Sequence, residues 1–208
     1  MSLRTTILGA AAAVALSASG AFAAPITAGS QLNITGFDIG VGSSTIDQAQ
    51  GLDFTDSSLA ASPGTAGVLD SVSGSGIGSF AGIHCTSSCG SIQDILSFAA
   101  FAPMADFYHT SLAAGDISFD LNSITNITRI AGSSSTLATL IVSGMGIIHF
   151  DGFDATNGIF TLTTQGNNVT TFSASTVATT TVPEPATLAI LGAGLLGLGA
   201  LRRRRNRA

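Results

Sequence analysis

The sequence predicts an all-β body, a β-sandwich or jelly-roll-like fold, set between two short terminal segments that have other duties. Three observations carry that expectation. The clearest hydrophobic period is two: Ile117, Phe119 and Leu121 alternate with Asp116, Ser118 and Asp120, and Phe160 and Leu162 alternate with Ile159, Thr161 and Thr163. Gly, Asn, Asp and Ser cluster between such runs, and the chain has 25 Gly. Only 9% of the residues are charged against 45% hydrophobic, which suits short strands around an apolar core better than solvated helices.

The charges are partitioned. Residues 24–181 hold 11 Asp against Arg129 alone, a net of −10, whereas Arg4 stands at one end and five arginines at the other. Lys and Trp are absent. A surface this acidic excludes a nucleic-acid partner, which needs cations for phosphates, and 2 Cys are too few for a disulfide-framed mini-protein. Basic ends around an anionic middle are the distribution that membrane targeting imposes.

The first element, residues 1–23, reads as a secretory signal peptide: a positive start at Arg4, an apolar run over residues 7–16, and Ala21 and Ala23 as the small residues before the cut. The run is roughly 15 Å long as a helix, short of the ~30 Å hydrocarbon core. Cleavage is expected after Ala23.

The body is expected over residues 24–175, with strands near 32–37, 68–72, 92–99, 117–121, 124–130, 137–150, 160–162 and 169–174. The run 137–150 is long for one strand, so Gly144 and Gly146 are expected to mark a bulge or bend. Eleven Phe remain after the signal and are expected to form the core. Residues 176–181 read as an unstructured spacer.

Chemistry within the body is sparse. Cys85 and Cys89 meet an oxidising compartment after export, and a disulfide between them closes a ring of five residues, worth about 2 kcal/mol on the chain-entropy model. A metal site on His84, Cys85 and Cys89 lacks the further ligands zinc takes. Asp151, Asp154 and Asn157 gather in one turn and form a weak Ca2+ candidate, although their spacing fits no EF-hand. His149 and Asp151 share a strand face, yet no G-x-S-x-G elbow and no pair of Glu accompanies them, so no catalytic residue, no enzymatic activity and no cofactor are expected.

The last element, residues 182–208, has three contiguous parts. Pro183, Glu184 and Pro185 keep the junction extended, because proline fixes φ and bars the helix from running backwards. Residues 186–201 carry no charge and read as a short membrane helix. Arg202, Arg203, Arg204, Arg205 and Arg207 follow at once and hold that end in the cytoplasm. The run Gly192, Gly194, Gly197 matches a dinucleotide fingerprint only in letters, since it lies inside the apolar span rather than after a strand.

This tripartite tail closely resembles the PEP-CTERM sorting signal of Gram-negative bacteria. The resemblance implies processing near Pro183, Glu184 and Pro185 by an exosortase-type membrane enzyme, an exported, membrane-anchored precursor, and a final place at the cell surface or outside the cell. It implies nothing about the body. A structural or adhesive role is expected there, with a module that binds exopolysaccharide, with or without calcium, as the alternative.

Overall fold

The computed structural model describes residues 23–133, 136–166 and 169–179. Twelve strands follow in order: β1 (Ala24–Pro25), β2 (Gln31–Val41), β3 (Gly51–Thr55), β4 (Gly67–Gly74), β5 (His84–Cys85), β6 (Gly90–Ile92), β7 (Met104–Leu112), β8 (Gly115–Ile130), β9 (Thr139–Phe150), β10 (Phe153–Asp154), β11 (Thr156–Gln165) and β12 (Val169–Ala178). A single 3-10 turn, Ile46–Gln48, interrupts the strands described.

The body is all-β, but it is a closed barrel rather than the sandwich or jelly roll expected. Eight strands run antiparallel in the ring β2-β12-β11-β9-β8-β7-β6-β4, and β4 returns to β2. The reason lies in β2, which is paired along both edges. One edge takes β12 from Gln31 to Ile39, while the other takes β4 over Leu32–Gly36 and then β3 over Phe37–Val41. A sandwich would leave two sheets with free edges; here strand twist carries one sheet round until its ends meet.

An eight-stranded barrel has an interior just wide enough for side chains to fill, and phenylalanine fills this one. Phe54, Phe107, Phe119, Phe160 and Phe172 are no more than 2% exposed. Their rings meet in a chain, Phe172 to Phe54 at 5.0 Å, Phe107 to Phe160 at 5.3 Å and Phe119 to Tyr108 at 5.6 Å between centroids. Small residues make the room: a Cβ on Gly36 would lie 2.7 Å from the Phe172 ring. Tyr108 is buried among them and donates its hydroxyl to Thr176 Oγ1 at 2.9 Å. Phe80 and Phe150 are buried in a second group, and the remaining four, Phe37, Phe98, Phe101 and Phe153, are half-buried.

An acid also stands inside the barrel. Asp38 continues the inward row of Leu32 and Ile34 on β2 and is fully buried. Its Oδ1 accepts the hydroxyls of Thr164 at 2.8 Å and of Thr170, while its Oδ2 is buried with no hydrogen-bond partner. Burial outweighs both hydroxyls and pushes its carboxyl from 3.8 up to about 6.

The strand expectations near 117–121, 137–150 and 160–162 correspond to β8, β9 and β11. The irregularity foreseen at Gly144 and Gly146 exists, but the extra residues lie on β8, where the register slips between Leu121 and Ser123 and between Ile124 and Asn126. The glycines of β9 face that slip. A Cβ on Gly144 would stand 2.6 Å from Leu121 Cδ1 and 2.7 Å from the Ser123 carbonyl oxygen, so glycine permits the close approach.

Three expectations are corrected. The run 92–99 is a strand only to Ile92, beyond which Ile95 makes a lone bridge to Leu52. Strand β7 was not foreseen because its alternation is broken: Asp106 has φ 54° and the register to β8 slips between Met104 and Tyr108, turning consecutive Phe107 and Tyr108 both into the core. The side-chain amide of Gln93 braces this bulge by donating to the carbonyls of Ala105 and Asp106. Finally β12 runs to Ala178, so residues 176–178 belong to the barrel and not to a spacer. Thr176 and Ala178 face inward at 1% exposure each.

Candidate functional site

The two edges of β8 have different fates. Up to Leu121 the strand is paired with β7 on one side and β9 on the other; from Ser123 to Ile130 it is paired with β9 alone. Past the slip in register, residues 96–103 run beside this half of β8 and leave a groove of about 570 Å3 walled by Phe98, Phe101, Pro103, Ile124 and Ile127, with Asn122 and Asn126 at its polar side. Arg129, the one Lys or Arg of the body, stands over Phe98. Its guanidinium lies 5.7 Å from the Phe98 ring centroid and its Nη1 donates to the Asp47 carbonyl at 2.6 Å. Residues 122–130 contain no acid. A barrel has no free edges where it is fully closed, so this half-strand is a place where another chain or ligand can be met by backbone groups and apolar walls together.

A second cluster sits on the outer face of β7, β8 and β9. Ser118 stands opposite His109 on one side and His149 on the other. His149 Nε2 lies 2.9 Å from Asp120 Oδ2, and His109 Nδ1 lies 3.4 Å from Asp106 Oδ1. Asp120 Oδ1 accepts the Asp106 amide at 2.8 Å. Burial alone would raise the Asp120 carboxyl, but that amide and the imidazole of His149 outweigh it and hold the group below its usual value. The partner foreseen for His149 is thus replaced: Asp151 lies past the end of β9, and its Oδ2 accepts the Asp116 amide at 3.0 Å. Asp120 was missed because only the β8-to-β9 register reveals that the outward Ser118 and Asp120 lie beside His149.

His149 gives its Nε2 to Asp120, no hydrogen bond joins Ser118 to an imidazole, and the hollow that they flank is only about 170 Å3 and open to solvent. Activation of a serine requires that bond, or a reach that tightens to it.

The Ca2+ candidate is spread out. Asp151 and Asp154 flank the exposed turn at Gly152, the carbonyl of Asp154 accepts Thr156 Oγ1, and the carbonyl of Asn157 accepts the Thr179 amide. Among the described residues no three His, Cys, Asp or Glu side chains converge on one point. His84 is exposed on β5. Cys85 and Cys89 are bonded to each other, with Cα atoms 5.8 Å apart. The bridge ties β5 to the start of β6, both of which lie against β4, and the Cys89 amide donates to the Leu69 carbonyl at 2.8 Å. It pins a surface loop around Thr86, Ser87 and Ser88.

At the amino-terminal boundary Ala23, Ala24 and Pro25 are exposed, and β1 lies parallel to β10 with Ala24 opposite Phe153. One residue later Ile26 is buried and its amide donates to Thr156 Oγ1 at 3.0 Å. The packed body therefore begins within three residues of the expected cut, and the first barrel strand, β2, follows at Gln31. Residues 1–22, Ala21 among them, lie outside the described residues, as do Pro183, Glu184, Pro185, the apolar run 186–201 and the arginines that follow. Among the described residues no helix is long and apolar enough to cross a membrane.

No curated protein and no solved structure matches this chain. The family of PEP-CTERM protein-sorting motifs matches residues 181–205, the same segment whose extended prolines, apolar run and basic end were read from the sequence. Residues 181–205 accordingly carry a PEP-CTERM protein-sorting motif, and that motif implies export, a membrane-anchored precursor and processing by an exosortase.

Proposed function

We propose that the barrel is a non-enzymatic structural or adhesive module, carried to the cell surface or extracellular matrix by its sorting tail. The observation that supports this reading is the half-paired edge of β8 beside an apolar groove, in a stretch free of acid on an otherwise anionic body. A strand edge offers backbone hydrogen bonds to an extended partner, and the walls at Phe98, Ile124 and Ile127 add apolar contact. The outward His and Asp side chains, by contrast, are satisfied by one another.

The test is retention. Cells that make the exosortase should hold the parent protein in the washed surface fraction, whereas an Ile124→Lys, Ile127→Lys double variant should appear in the medium with an unchanged far-ultraviolet spectrum. Equal retention of both would remove the groove from the contact.

A second reading, an exopolysaccharide-binding module, is favoured by one observation: Phe98 and Phe101 are half-buried and line the groove next to Asn122 and Asn126. A ring face with amide groups beside it suits a sugar. Phe98→Ala should then abolish co-sedimentation with the purified polysaccharide while leaving self-association intact.

A further inference from the structure

Leu52 on β3 and Ile95 exchange both backbone hydrogen bonds, at 2.7 and 2.9 Å, in an antiparallel bridge. Their side chains enter the core. The next residues along each strand, Asp53 and Asp94, therefore stand opposite one another on the other face, where cross-strand side chains approach most closely. Loop 56–64 covers them. The Ser62 amide donates to Asp53 Oδ2 at 2.9 Å and the Gly64 amide donates to Asp94 Oδ2 at 2.6 Å, while Asp94 Oδ1 takes the Phe54 amide at 2.8 Å. Two donors from one turn, Ser62 and Gly64, set the carboxyl groups side by side beneath it.

This pair lacks a counter-charge. Asp53 is 1% exposed and Asp94 is 9% exposed. Asp53 Oδ1 is buried with no hydrogen-bond partner. The one cation among the described residues, Arg129, is occupied by the Asp47 carbonyl and the Phe98 ring, and the chain has no Lys. Burial raises both carboxyls, and for Asp94 the charge of Asp53 adds to the rise. Two like charges at opposed buried positions destabilise a strand pair unless something positive joins them.

We propose that Asp53 and Asp94 hold a divalent cation, Ca2+, with Asp53 Oδ1 as the ligand atom that has no other partner. Carboxylate oxygen is the donor this hard cation prefers, and a flexible shell completed by loop carbonyls and water suits Ca2+ better than the stricter octahedron of Mg2+. The ion fastens loop 56–64 to the barrel. It also fixes Asp94 at the root of residues 96–103, which wall the groove, although the site stands whether or not that groove is adhesive.

The experiment is calorimetric titration and thermal unfolding of the exported protein, stripped with chelator, in CaCl2, MgCl2 or NaCl of equal ionic strength. One Ca2+ should bind per chain and raise the unfolding temperature with concentration, as any ligand of the native state does. Asp53→Asn keeps an oxygen for the Ser62 amide and should fold, with Ca2+ binding weakened by at least about tenfold. Asp94→Asn keeps an oxygen for the Gly64 amide but sets its NH2 against the Phe54 amide, so it should lose Ca2+ binding and some stability together. No heat and no thermal shift at millimolar Ca2+ would overturn the proposal. So would binding that survives both substitutions but is lost on Asp151→Asn with Asp154→Asn, which would move the ion to the other turn. A stripped parent protein at neutral pH that is as stable as the Asp53→Asn variant would show that a shared proton, not a metal ion, neutralises the pair.

Discussion

Replacing Asp38 with asparagine tests whether the barrel interior holds an acid at a cost that depends on pH. In the folded protein burial lifts this carboxyl from 3.8 to about 6, against the pull of the Thr170 and Thr164 hydroxyls. The folded state therefore binds the proton more tightly than the unfolded chain does. The stability tied to that proton is fully present below about pH 4 and is lost as pH rises through about 6. At about 1.4 kcal/mol for each tenfold in proton affinity, the loss amounts to about 3 kcal/mol. Asparagine keeps an Oδ1 to accept from Thr164 and Thr170 and is neutral at every pH, so it imitates the protonated acid. Urea unfolding of the parent and of Asp38→Asn at about pH 4 and about pH 7.5 gives two stability gaps, and titrations common to both proteins cancel between them. The gap should shift by about 3 kcal/mol in favour of the asparagine variant at the higher pH. A gap that stays constant between the two values would show that Asp38 does not titrate in this range, and the account of a desolvated carboxyl inside the barrel would fail.

Three other outcomes are expected. Phe160→Ala removes a ring that touches both Phe107 and Phe119 in a filled interior, and should cost about 3 to 5 kcal/mol by chemical denaturation. Cys85→Ser with Cys89→Ser should leave the protein folded and about 2 kcal/mol less stable, and the unfolded, unreduced parent should show no reactive thiol. Changing Pro183, Glu184 and Pro185 together to alanine should leave insertion intact and block processing, seen as a larger membrane-bound form on immunoblots; release like the parent would separate this tail from exosortase handling.

What the sequence discloses follows the range over which each signal acts. The tail is contiguous, and each of its parts has its own composition, so Pro183 to Arg207 is readable without any fold. Strands with unbroken alternation, such as the runs through Phe119 and Phe160, are readable for the same reason. Barrel closure is not, because it rests on Leu32 meeting both Thr176 and Gly74, pairings that no local pattern encodes. The broken period at Asp106 hid β7, and apolar character at Ile92 and Ile95 suggested a strand where the chain makes one bridge and leaves to wall the groove. The pairs His149 with Asp120 and Asp53 with Asp94 are likewise facts of register. Each joins residues 29 or more apart whose types give no hint of the match.

The seam between β2 and β12 sets a temporal order for making this protein. One edge of the first long strand finds its partner in the last one, with Gln31 opposite Val177, so loop closure over nearly the whole body must precede the final contacts, and such topologies fold slowly. Export proceeds from the amino end, so β2 emerges early and must wait while every other strand crosses. β12 ends at Ala178, and the sorting motif begins at residue 181. In the membrane-anchored precursor that this motif implies, the strand that shuts the ring therefore lies within three residues of the sorting segment, so barrel closure belongs to the part of the body nearest the anchor.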